Sequence, residues 1–290
     1  MTHRSSVEEN SEVGGAARRR GQFVPPVPGV PGLRRSDRLL SMSPTDDLLV
    51  AFEMHDPHGI QAALDAGASP TAPIDGERPI DWLIAMYTRS VHLAVCMQAL
   101  IRRGAAVGEE MTEAILLGDE QALLRLVQAD PARVHKRLSL RCAYTSLRDV
   151  TPLHVCAEFN AIGCAKVLLD AGAAVDAPAG IDAEGIGGHT PLFHTVNSNH
   201  NFCRAMMDLL LDAGAGVDMR VRRVLWGAGC EWETIIFDVT PLSYAQCGLY
   251  PQFHRNERDI YDNIDRLHQH HFNTSAPRRN VPNRYVNASS

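Results

Sequence analysis

The apolar positions of this chain recur in pairs of short segments at helical spacing. They are clearest between Thr151 and Ala177, TPLHVCAEFNAIGCAKVLLDAGAAVDA. Thr151 can accept from the free N–H groups of a helix start, and Pro152 suits the first helical position, where no N–H is needed. The apolar run Leu153 to Phe159 predicts a first helix and Asn160 to Gly163 a turn. Val167, Leu168 and Ala171, three and four apart, then mark one face of a second helix. Gly172 stops it, because glycine takes the left-handed conformation that closes a helix at little steric cost.

The pattern repeats along the chain. LLDAGAAVD around Gly172 returns as LLDAGAGVD around Gly214, ALDAGAS around Gly67 and LIRRGAAV around Gly104. Gly104 and Gly172 lie 68 residues apart, twice 34, and ALLRLVQADPA fills the midpoint with Asp130 where Gly would stand. On the head side TPLF begins at Thr190, TPLS at Thr240, and RPID at Arg78 is a degraded copy. One such helix pair cannot bury its own apolar face and needs neighbours stacked on it. The units resemble the ankyrin repeat, whose signature is T-P-L-H-x-A at a period of about 33 residues. That resemblance implies an all-α repeat solenoid of six helix-turn-helix units. They lie near 46–73, 77–107, 109–135, 151–177, 190–217 and 240–271, within one domain over 46–271.

Departures from the period locate the insertions. The second unit has five extra residues, which extend its first helix over PIDWLIAMYTRS. The third lacks a T-P head but keeps the helix-turn-helix pattern, with Asp119 as the N-cap of its second helix. The fifth carries three extra residues in its turn. RVHKRLSLRCAYTSLRD, between Asp130 and Thr151, is too long for a tight turn and predicts an extended hairpin, the first of two enlarged β-fingers. The second spans 218–239, where MRVRRVLW and CEWETIIFD flank a GAG turn. If Trp226 faces Cys230, then Val224 faces Trp232 and Arg223 pairs with Glu233, but the two faces do not separate cleanly into apolar and polar, which leaves the register open. PAGIDAEGIGGH, at 178–189, reads as a mobile glycine-rich loop. Near the end, Ile260, Tyr261, Ile264 and Leu267 form one stripe of a capping helix. Residues 1–45, rich in Gly, Ser, Pro and Arg, and 272–290 are expected to be disordered tails, with Met42 an alternative start to Met1.

Composition adds limits. With 290 residues, 45% hydrophobic and 21% charged, the chain is long enough for one or two compact domains. No apolar run approaches the ~18 residues needed to span a bilayer, and the N-terminal stretch lacks the apolar core of a secretory signal, so a cytoplasmic location is expected. Seven cysteines, an odd number with no C-x-x-C pair, are expected to be reduced packing residues. Residues 1–45 and 272–290 each carry +3 in a chain of −6, which leaves −12 on the body. A body this acidic repels a phosphate backbone and argues against nucleic acid as a partner.

Candidate chemistry is sparse. For His154, the ankyrin resemblance implies a hydrogen-bonding role within and between loop ends. His194 is shifted by one place and Ser243 replaces the histidine in the sixth unit, which is expected to weaken that bond there. HQHH at 268–271 follows a helix directly, with no Cys or carboxylate at ligand spacing, and carries no metal expectation. Glu231, Glu233 and Asp238 face Arg220, Arg222 and Arg223, so a cross-paired solvated hairpin accounts for them better than an acid/base pair. Phosphate-loop, dinucleotide, zinc-protease and nucleophile-elbow motifs are absent from the sequence, and no catalytic residue, metal or cofactor is expected. What remains is surface. Tyr144, Arg148, Phe159, Arg223, Trp226, Glu231, Trp232 and Glu233, on fingers or inner helices, are the candidate partner-binding residues. The expected function is non-catalytic protein binding through the concave face and fingers of the solenoid. The alternative is an enzyme or small-ligand protein using the acidic finger 231–238 with His194 or His254; a third possibility is a homodimer closed by the fingers.

Overall fold

The computed structural model describes residues 43–227, 233–249 and 255–276. The expectations for Met1 and Met42, for most of both tails, and for Glu231, Trp232 and His254 lie outside these residues. The described chain is mostly helical, with eleven α-helices and two small two-stranded sheets among the described residues. Helices come in consecutive pairs: α1 (Pro44–Met54) with α2 (Pro57–Asp65), α3 (Pro79–Ala85) with α4 (Leu93–Ile101), α5 (Glu110–Leu117) with α6 (Glu120–Ala129), and α7 (Pro152–Phe159) with α8 (Ile162–Asp170). After these come a 3-10 turn at Pro191–His194, α9 (Arg204–Asp212), α10 (Pro241–Cys247) and the longer α11 (Glu257–Phe272).

Local chemistry sets the starts. Ser43 and Asp46 form a reciprocal capping box around Pro44, so α1 begins two residues before the Asp46 boundary expected for the first unit. Asp119 caps α6 through Ala122 N–H at 2.8 Å, as expected, and Thr151 and Thr240 open α7 and α10 with capping boxes. At the other end, Ala276 is buried against the core and its N–H donates to Asp265, while 272–275 are exposed.

Two expected helices fail for identifiable reasons. α3 stops at Ala85 rather than continuing to Ser90, because Met86 is extended (ψ 149°) and the next residues are pulled toward tertiary partners. Thr88 Oγ1 donates to the Glu53 carbonyl, Ser90 Oγ meets His55 Nδ1 at 3.0 Å, and Arg89 turns inward. In the fifth unit the first helix shrinks to the turn at Pro191–His194. The polar run Asn197 to Asn201 that follows carries left-handed backbone at His200 and Asn201, as expected where short polar side chains compete for backbone groups.

Packing between pairs follows chain order. α1 packs on α3 and α2 on α4; α5 packs on α7 and α6 on α8; α8 then meets α9 and α10 meets α11. The second and third pairs join differently, mainly through α4 on α5. The buried side chains form one continuous cluster from Leu48 to Ala276. Among the described residues, no helix is long and apolar enough to cross a membrane.

The fingers are β1 (Leu138–Leu140) with β2 (Leu147–Val150), and β3 (Val221–Trp226) with β4 (Thr234–Val239), both antiparallel. The second does not take the register expected from a GAG turn. Trp226 faces Thr234, Leu225 faces Ile235, Val224 faces Ile236 and Arg223 faces Phe237. The alternation explains the choice: Val224, Trp226 and Ile236 share the face that packs on the core, while Arg223, Leu225, Ile235 and Phe237 share the other.

A finger platform over a buried polar hub

The two fingers and the loop between them are joined by backbone hydrogen bonds. Gly187 N–H donates to the Arg223 carbonyl (3.0 Å), Gly180 N–H to the Asp149 carbonyl (2.7 Å) and Gly227 N–H to the Tyr144 carbonyl (3.3 Å). Isolated bridges also pair Thr145 with Trp226 and Ile181 with Gly187. The stretch expected to be mobile is therefore fastened on both sides. Gly187 permits the close approach: its φ is +119°, and a Cβ there would sit 1.9 Å from the Gly180 carbonyl oxygen. The resulting platform exposes Ile181 (68%) and Phe237 (60%), with Ile235, beside half-buried Leu225. Arg223 lies over the Phe237 ring at 5.6 Å and donates to the Glu184 carbonyl, replacing the expected ion pair with Glu233. Arg148 is solvent-facing, 3.7 Å from Asp182.

Beneath the platform lies a polar cluster contributed by segments far apart in sequence. Arg89, from the insertion after α3, and Glu158, from α7, are 6% and 4% exposed and meet at 2.9–3.0 Å through Nη2 and Nε. The guanidinium also donates to the Met86 and Thr88 carbonyls and rests over the rings of Phe159 (4.7 Å) and Tyr144 (5.2 Å). The second Glu158 oxygen takes His194 Nδ1 at 2.9 Å. Burial pushes the Glu158 carboxyl up, but Arg89 and His194 outweigh it and hold it below its ordinary value. On Arg89, burial likewise opposes the charge, and Glu158 more than restores it.

Three histidines cluster beside this pair, with ring centroids 5.1–5.9 Å apart. Thr151 N–H donates to His154 Nδ1 (3.2 Å), so the proton sits on Nε2, which donates to the His189 carbonyl (3.0 Å). This joins loop ends 35 residues apart, the role implied for His154. His189 Nε2 in turn donates to the Ser146 carbonyl. Burial first, then the neighbouring imidazoles, push His154 well below its usual range and His189 down to about 3. Ser243 keeps only the local part of the arrangement: its Oγ accepts from Thr240 N–H at 2.8 Å. His194 does not keep a weakened copy of the His154 bond; it serves Glu158 instead. A recess of about 20 Å³ borders the hub, lined among others by His194, Asn197, Ser198, Tyr144 and Arg255.

Residues 148–179 match the ankyrin-repeat family model. No curated protein matches the chain. The ankyrin match covers the end of β2, both helices α7 and α8, and the start of the loop whose Ala179 N–H donates to the His189 carbonyl. An ankyrin repeat suggests a role in protein–protein interaction.

The candidate residues separate by depth. Arg148 and Glu233 are exposed, and Arg223 is half-buried. Tyr144 and Trp226 (2% exposed) are interior. Tyr144 OH donates to the Tyr87 carbonyl, and its ring has Arg89 on one contact and Arg255, at 5.1 Å, on another. Phe159 is half-buried under Arg89. These three support the platform from below rather than forming its surface. Among the described residues of the acidic finger, neither carboxylate joins His194: Glu233 is exposed, and Asp238 pairs with Arg220 at 3.3 Å. Arg89 and Glu158 were not singled out from sequence. The available signal was a carboxylate inside the apolar helix LHVCAEF, since a buried charge requires a partner.

Proposed function

We propose that this chain is a non-catalytic protein-binding scaffold, built as a row of six ankyrin-like units over residues 46–271 and binding a partner protein through the concave face and the finger platform. The supporting observation is the platform itself: Phe237, Ile181 and Ile235 stand exposed around Arg223 and Arg148 on a backbone already hydrogen-bonded into place. Preordered apolar and Arg anchors lower the ordering cost of association and are the residue types that dominate interface energies. The carboxylate–imidazole pair Glu158–His194 is read as structural, because its carboxylate is also held by Arg89 and the pair borders a recess scarcely larger than a water molecule. A cytoplasmic setting agrees with the described cysteines being free and buried. The test is affinity capture from the native cell with the wild type and an Ile181→Ala, Phe237→Ala double variant of unchanged circular dichroism. Partners that the wild type enriches and the variant loses support the platform; an identical set from both removes it from the interface.

A further inference from the structure

A second surface opens at the junction between the second and third helix pairs. A groove of about 450 Å³ on the first pair is lined by Asp47, Val50, Ala51, Met54, Gly59 and Ala63 among others. A groove of about 610 Å³ on the third pair is lined at the corresponding positions, 63 residues on, by Glu110, Glu113, Ala114, Leu117, Ala122 and Leu126. The first groove lies on α1/α2, the first pair of the described residues. The second is open in mid-chain, because α3/α4 reaches the third pair mainly through α4 on α5 and leaves this side of α5/α6 uncovered.

The fold shows what this face accepts when it is covered. Forty-two residues on, the corresponding positions of α7/α8 include Val155, Cys156, Cys164 and Leu168, all buried, and the cover is a helix pair, α5/α6. The α5/α6 positions suited to that contact, Met111, Ile115, Leu123 and Val127, repeat at i and i+4 and are themselves buried. On the open side, Leu117, Ala122 and Leu126 are only half-buried, and carboxylates replace part of the apolar wall. Glu110 and Glu109 are matched by Arg133 and Lys136; among the described residues Glu113 has no ion-pair partner, Asp119 lies at the rim and Arg125 is the one cation lining the groove.

We propose that the α5/α6 groove is a docking site for an amphipathic α-helix of a partner protein, with apolar residues at i, i+3/i+4 and i+7 and Lys or Arg along its flank. The helix lies where a preceding repeat would otherwise stack, and its cations face Glu113 and Asp119. This site is separate from the finger platform and stands if that platform is not an interface. The probe is a pair of synthetic 18-residue helices with the same Leu stripe, one flanked by Lys and one by Glu, measured by fluorescence anisotropy against the full chain. The Lys-flanked helix is expected to bind and to weaken at least tenfold on Leu126→Glu, while Met54→Glu in the first groove leaves it unchanged. Glu113→Lys is expected to shift preference toward the Glu-flanked helix without unfolding the chain, because that side chain is half-exposed. Equal binding of both helices, no binding, or loss with Met54→Glu but not Leu126→Glu overturns the assignment.

Discussion

Glu158→Ala removes the one carboxylate that, among the described residues, meets the Arg89 guanidinium, which is 6% exposed and also contacts two carbonyls, a thiol and two aromatic rings. It also leaves the His194 Nδ1–H without its acceptor. Removing one partner of a buried ion pair costs about 3–5 kcal/mol, because the remaining charge stays desolvated and unmatched. Against a net stability of roughly 5–15 kcal/mol, that loss is a third or more for most of the range. At ~2–4 °C per kcal/mol for a chain of this size, Tm falls by about 6–20 °C. The assay is urea unfolding at pH 7.5 followed by circular dichroism, comparing midpoints at unchanged slope. The volume-matched Arg89→Met, Glu158→Leu double variant exchanges the pair for apolar packing and is expected to lose no more than ~2 kcal/mol. A single-variant loss under ~1 kcal/mol, or a double variant as unstable as the two singles added, would refute the claim that the pair acts as a desolvated unit.

Acid should loosen the same region. The folded-state values of His154, His189 (about 3) and His55 (about 4) lie below the unfolded value of 6.5. Their contribution is therefore complete above pH 6.5 and is lost as pH falls from there toward about 3. Each such histidine lowers stability by up to ~1.4 kcal/mol per pH unit in that window, and a urea midpoint flat from pH 7 to 4.5 contradicts the burial. Gly187→Ala strains a φ of +119° and drives a Cβ into the Gly180 carbonyl, so about 1–3 kcal/mol should be lost, with protease cleavage appearing between residues 180 and 188. Trp226→Ala empties a fully buried site and should cost roughly 3–5 kcal/mol, read as a lower thermal midpoint; unchanged stability would place the indole outside the core.

How much of this was legible in sequence depends on the range of the interaction involved. Helix starts at Glu120, Pro152 and Pro241 could be read directly because a cap and the groups it satisfies lie within four residues of each other. The His154 link was accessible through the family resemblance, and its geometry agrees. The second finger's register was not accessible: β-strands read alike in either alignment until it is known which face the core covers, and Trp226 pairs with Thr234 rather than Cys230. Nor could sequence pair Arg89 with Glu158 across 69 residues, or show that α3 stops short so that Arg89 can reach inward.

The linear order of residues thus determined the repeating helix pairs, because periodicity and capping are local properties written every three or four positions. Tertiary structure alone decided which insertions fold inward as the hub, which lie outside as the platform, and where the stacking changes between α4 and α5. Those outcomes depend on desolvation and on which surfaces exclude water from one another, and neither exists until distant segments meet.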